Sequence, residues 1–207
     1  MKFTQKGYGI AMGIQNLQKL HSQFLSAQLS ALMAICELNS LDRKLCRDIF
    51  NITELDGSLL AHATDEQKEK LATIVTSLFS VVLPTSEEIA NIENRDILFS
   101  KSFSSPLLTQ IIHKYTTAQL HALTAIHSAI QENAERAELL FDIKPKYFEL
   151  LKTLSSTQIM AIATRISWVF APNSMRNRNI ISDGLSRIGE SSLYADSLVI
   201  HKIGEIK

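Results

Sequence analysis

Apolar residues return at intervals of three and four along most of the chain, which is the spacing of a helix with one face turned to a core. Ile14, Leu17, Leu20, Phe24, Ala27, Ala31 and Ile35 draw the first stripe and predict a long helix from about residue 14. Residues 1–13 hold Gly7, Gly9 and Gly13 and read as a loose arm. Ser40 can cap a second helix carrying Leu41, Leu45 and Ile49, and Thr53 a third carrying Leu55, Leu59 and Leu60. Thr64-Asp65-Glu66-Gln67 has the spacing of a capping box. The helix it opens places Leu71, Ile74, Val75, Leu78, Phe79 and Val82 on one face as far as Pro84, where the ladder must stop. Residues 96–105 form a Ser-rich connector. Ser105-Pro106 then starts a helix with Leu108, Ile111, Ile112, Tyr115, Leu120, Ala122 and Ile126 inward. A short helix at 134–140 and one led by Pro145 precede a second box, Ser155-Ser156-Thr157-Gln158. Its helix carries Ile159, Ile162, Ala163, Ile166 and Phe170 and stops at Pro172. A last helix is expected at about 190–202. No apolar–polar alternation is long enough for a sheet, so the predicted class is all-α.

The two boxes belong to a larger repetition. A gapless shift of 91 positions lays Asp48–Phe79 on Leu139–Phe170. Phe50 falls on Phe141, Ile52 on Ile143, Gln67 on Gln158, Ala72-Thr73 on Ala163-Thr164 and Phe79 on Phe170. The same shift matches AQLSALMAI (Ala27–Ile35) with AQLHALTAI (Ala118–Ile126). About 15 of the 60 positions from Leu20 to Phe79 are identical. This predicts a tandem duplication, with a first helical repeat at 1–99 and a second at 100–207 that includes a C-terminal extension. Two copies are too few for a solenoid. The connector reaches at most about 35 Å, so the copies should pack as a pseudo-twofold dimer within one chain. Higher oligomers through other faces are compatible with this.

Composition narrows the choice of function. The 207 residues carry 21 basic and 21 acidic side chains, so contact with nucleic acid needs a local patch or a partner subunit. Cys36 and Cys46 are too few for a disulfide scaffold and point to reduced thiols in a cytoplasmic protein. No run of about 18 apolar residues predicts a membrane span, and the N-terminus lacks the pattern of a signal peptide. His113, His121 and His127 are spaced by eight and six, which does not stack imidazoles on adjacent turns, so no metal site is expected. There is no nucleophile elbow, P-loop or dinucleotide fingerprint. Neither a cofactor nor an enzymatic activity is expected.

One difference between the copies does bear on chemistry. After Pro84 come Glu87, Glu88, Glu93 and Asp96 against Arg95 alone. After Pro172 come Arg176 and Arg178 with no acid before Asp183. Arginine can meet phosphates and base edges, so Arg176, Arg178 and also Arg187 are the candidate DNA contacts. An ordinary polar loop is the competing reading of the same residues.

The second unit, Leu107–Ala163, resembles the FlhD family. The shared pattern is an opening Leu-Leu helix, the Asp142-Ile143 junction, and Leu151-x-x-Leu154-Ser155-x-x-Gln158-Ile159-x-x-Ile162-Ala163. Leu60, Thr64, Gln67, Leu71 and Ala72 carry a weaker version in the first unit. The resemblance implies an all-helical dimerising subunit of a bacterial transcriptional activator. It would work with an FlhC-like partner that supplies zinc and much of the DNA binding, at flagellar or conjugative-transfer genes. The family's single unit pairs with itself and has a cysteine near the end of the capped helix. Here two units share a chain, and Ser77 and Trp168 stand in that region. A helical adaptor or secretion chaperone that binds a protein partner without DNA is the alternative.

Overall fold

The computed structural model describes residues 4–50, 52–74, 78–92, 105–141, 143–166, 169–172 and 180–188, with side chains described from residue 15. The chain is all-α, with one short two-stranded ribbon. The first half runs α1 (Thr4–Leu41), α2 (Arg43–Phe50), α3 (Glu54–His62), α4 (Asp65–Ile74), β1 (Phe79–Val81) and α5 (Ser86–Ala90). The second runs α6 (Pro106–Glu132), α7 (Ala134–Phe141), a 3₁₀ turn (Pro145–Tyr147), α8 (Phe148–Thr153), α9 (Ser156–Arg165), β2 (Phe170–Pro172) and α10 (Ile180–Ile188).

The helix starts follow from local chemistry. Thr64 Oγ1 accepts from the Gln67 N–H while Gln67 Oε1 accepts from the Thr64 N–H, and Ser155 and Gln158 do the same. Thr53 caps α3 and Ser105 caps α6, with Pro106 in its first turn. Two expectations at helix starts are corrected. Asp42, not Ser40, caps α2, through Oδ1 and the Leu45 N–H, because α1 runs on through Ser40. Residues 4–13 are helical rather than a loose arm. Three glycines weaken a helix by roughly 1 kcal/mol each, less than continuity with a long stable helix can offset. The expected connector at 96–105 lies outside the described residues except for Ser105, and the expected last helix at 190–202 lies outside them altogether.

The larger correction concerns the helix stops. Neither capped helix reaches its proline. α4 ends at Ile74 and α9 at Arg165. Phe79–Val81 and Phe170–Pro172 instead pair antiparallel, in the register Phe79↔Pro172, Ser80↔Ala171, Val81↔Phe170. β-Branched and aromatic residues favour this extended pairing over a helical continuation. Each strand takes part of the other's backbone polar groups, which buried backbone requires. The register is self-complementary under the 91-residue shift, since Ser80 faces its own equivalent, Ala171, and each flanking pair is the mirror of the other.

α1 lies antiparallel along α6. Asn16 donates to the Glu132 carboxylate near one end, and Lys114 Nζ sits 2.8 Å from Glu37 near the other. Each long helix also packs on its own capped helix, α1 on α4 and α6 on α9. The aromatic contacts cross between halves: Phe24 meets Phe141 edge-on at 5.1 Å, and the shifted pair, Tyr115 and Phe50, meets at 4.5 Å. Phe79 stacks on its equivalent Phe170 at 4.7 Å. One continuous core therefore runs through both halves. Gln15–Leu41 is apolar enough by length and composition to cross a bilayer, but it buries Gln28 and Asn39 in specific hydrogen bonds to Ala72 and Gly57 of this fold. Leu71 and Ile162 occupy equivalent core positions with no exposed surface. Replacing either by Ala should cost about 2–5 kcal/mol, from lost transfer energy plus a cavity, and denaturant titration reads it directly.

Candidate functional site

The most constructed feature of the described residues is the seam where a strand from each half pairs with the other. A glutamine holds it on each side. Gln28 Nε2 donates to the Ala72 carbonyl at 3.0 Å, and its Oε1 accepts from the Phe79 N–H at 3.1 Å. Gln119 Nε2 donates to Ala163 O at 2.7 Å and Ile166 O at 2.9 Å, and its Oε1 accepts from the Phe170 N–H at 3.0 Å. Ala72 and Phe79 map onto Ala163 and Phe170 by the 91-residue shift. Each amide joins the last part of a capped helix to the start of a strand with a fully buried side chain. Tyr115 adds a hydroxyl donor to the Phe170 carbonyl. Each of these bonds lies within one half and fixes the strand that then pairs with the other half.

Beyond the seam, the helices that follow the strands reach across the molecule. Arg165 Nη1, on α9, donates to the Ile92 carbonyl just after α5. α10 packs on α3 and α4 of the first half. Of the candidate DNA contacts, Arg176 and Arg178 lie outside the described residues. Arg187 is exposed in the last turn of α10. It therefore rides on the first half, beside helices bearing Glu54, Asp65, Glu66 and Glu69, although sequence order suggested the second.

His113 and His121 are exposed on α6 and His127 is half-buried. Among the described residues no three His, Cys, Asp or Glu side chains gather to hold a metal ion. Cys36 and Cys46 are buried free thiols, and burial pushes them up to about 11 and about 12 respectively. Thiols held protonated this far above neutrality are poor nucleophiles.

Two buried ionisable side chains carry polar atoms without a well-formed hydrogen bond. His21 Nε2 is unpaired, and its ring lies edge-on to Phe141 at 5.8 Å. Both carboxyl oxygens of Asp56 lack a hydrogen bond of good geometry, although Thr53 lies close enough to favour the ionised form, on a residue with no exposed surface. Desolvation lowers the His21 pKa and raises that of Asp56. The unfolded histidine takes up a proton below about pH 6.5 and the buried one resists it. Stability contributed at His21 is thus complete above that pH and falls on acidification. His21→Ile, which copies Ile112 at the equivalent position, should flatten the acid side of a stability–pH curve. Asp56 acts in the opposite sense, because its ionised form is disfavoured in the fold and stability is lost as pH rises through its folded pKa. Asp56→Asn should raise the melting temperature at neutral pH and leave it little changed near pH 4, as calorimetry at both pH values would show. Neither group stands out in the sequence, since each sits singly in an ordinary helical stripe.

Comparison of the chain with protein-family models, curated proteins and solved structures finds no match.

Proposed function

We propose that this chain is a non-enzymatic regulatory subunit in which one polypeptide supplies both halves of an FlhD-like dimer. In this reading it activates transcription together with an FlhC-like DNA-binding partner. The observation that carries the reading is the seam: two glutamines, two capped helices and two strands repeat one arrangement at a constant shift. Such a self-complementary arrangement is what a homodimer interface becomes when its gene is duplicated and fused. The FlhD-like motif supports the function through its residues. Leu151, Ile159, Ile162 and Ala163 are buried, and Ser155 and Gln158 form the cap. The adaptor alternative draws on the exposed Leu41, Leu107, Leu139 and Met160, which suit a protein partner.

Coexpression with an FlhC-like protein tests this reading. A stable complex should form and bind duplex DNA more tightly than either protein alone. With Arg176 and Arg178 changed to Ala, affinity should fall and the salt slope should flatten by up to about two units, one for each phosphate that an arginine neutralises. Identical salt titrations for wild type and variant would remove these arginines from the DNA interface. Separate elution of the two proteins would reject the activator reading.

A further inference from the structure

The shift that superposes the cores inverts the charge at two matched positions near the ends, on helices that also carry Arg43 and Asp48 (α2) and Arg136 (α7). α2 leaves the C-terminal end of α1 and α7 leaves the C-terminal end of α6, and α1 and α6 are antiparallel. The two short helices therefore lie at opposite ends of a long helix pair of roughly 40 Å. Lys44 and Arg47, one turn apart on α2, have Glu135 and Glu138 as their equivalents on α7. Lys44, Arg47 and Glu135 are exposed and Glu138 is half-exposed. Among the described residues Lys44, Glu135 and Glu138 make no ion pair, and Arg47 makes one loose contact, 3.6 Å to Glu54. Each end also presents apolar surface. Leu41 and Leu107 are 49% and 48% exposed at the basic end, at the level where the other end has the hydrogen-bonded Asn16 and Glu132. Leu139 is 47% exposed at the acidic end. A solvated surface needs neither three exposed leucines nor opposite charges at matched positions.

We infer that the α2 end of one molecule docks head-to-tail on the α7 end of a second copy of this chain. Lys44 and Arg47 face Glu138 and Glu135 of the neighbour, with the leucines beside them. The occupant follows from charge complementarity, since among the described residues the equivalent face matches the basic end in spacing and bears the opposite charges. A neutral chain with opposed ends also attracts its own kind at low salt. Exposed ion pairs contribute little singly, and two eight-residue helices make a small interface, so the association is weak and concentration-dependent. A heterologous contact does not stop at two copies unless a ring closes.

Sedimentation of the full chain at rising concentration tests this. At about 50 mM salt the weight-average mass should climb past a dimer, and at about 500 mM it should return to a monomer. Lys44→Glu with Arg47→Glu makes both ends acidic, and Glu135→Lys with Glu138→Lys makes both basic. Each double variant alone should stay monomeric with an unchanged circular dichroism melt. An equimolar mixture should recover the wild-type rise in mass, which loss of folding could not produce. A wild type that is monomeric throughout, or a mixture that fails to recover, overturns the inference. So does loss of duplex binding in the Lys44/Arg47 variant with no change in mass, which would assign that end to nucleic acid.

Discussion

Replacing Gln28 or Gln119 by Leu should cost at least about 2 kcal/mol in each case, from two or more stranded backbone groups at about 1–3 kcal/mol apiece. Leucine fills nearly the same volume, so packing is conserved and the loss reports hydrogen bonding. Gln28→Leu strands the Ala72 carbonyl and the Phe79 N–H. Gln119→Leu strands the carbonyls of Ala163 and Ile166 and the Phe170 N–H. Denaturant titration should show both variants losing stability by similar amounts. A loss below about 1 kcal/mol in both, less than a single stranded group should cost, would mean that water reaches the seam and the amides are not needed there.

The second large effect is expected where the halves meet. Phe170 has no exposed surface, stacks on Phe79 at 4.7 Å and meets Phe24 edge-on at 5.7 Å. Phe170→Ala should cost about 3–5 kcal/mol. Phe79→Ala should cost a comparable amount, because Phe79 is only 2% exposed. The pair should not be additive. Stacked rings contribute about 0.5–1.5 kcal/mol beyond their buried area, and removing either forfeits that contribution. In a double-mutant cycle the combined loss should therefore fall short of the sum. Strict additivity would indicate that the rings do not touch and that the halves are held elsewhere.

How much of this is legible in the sequence depends on the distance over which each feature is decided. The caps at Thr53, Thr64, Ser105 and Ser155 are closed by atoms three residues apart, so spacing alone reveals them. The helix faces are legible for the same reason. The strands are not. Three residues carry no measurable alternation, and the partner that makes Phe79–Val81 extended lies in the other half of the chain. A helical continuation to Pro84 satisfies every local rule. α10 escapes a sequence reading because Gly184 interrupts a short stripe, whereas in the fold Gly184 is buried and its helix packs on α3 and α4. The two glutamines leave a signal that can be read. Gln28 and Gln119 are identical polar residues in the midst of matched apolar segments, and nothing on a solvated surface would hold them the same. The inverted charges of α2 and α7 are equally present in the aligned repeats, but their place at opposite ends follows only from the antiparallel packing of α1 and α6.

That one chain supplies both halves of a dimer is tested most directly by a crosslink at the seam. Ser80 and Ala171 face each other across the ribbon. Opposed residues in antiparallel strands lie roughly 4.5–5.5 Å apart at Cα, within the range that a disulfide spans. The measurement is mild oxidation of the full chain carrying Ser80→Cys and Ala171→Cys, followed by peptide mapping. The native Cys36 and Cys46 are buried and held protonated, so they should not compete. The expected result is a disulfide between positions 80 and 171 of the same chain, formed equally well at high dilution. A disulfide that forms only between separate chains, or none at all in the folded protein, would contradict the account.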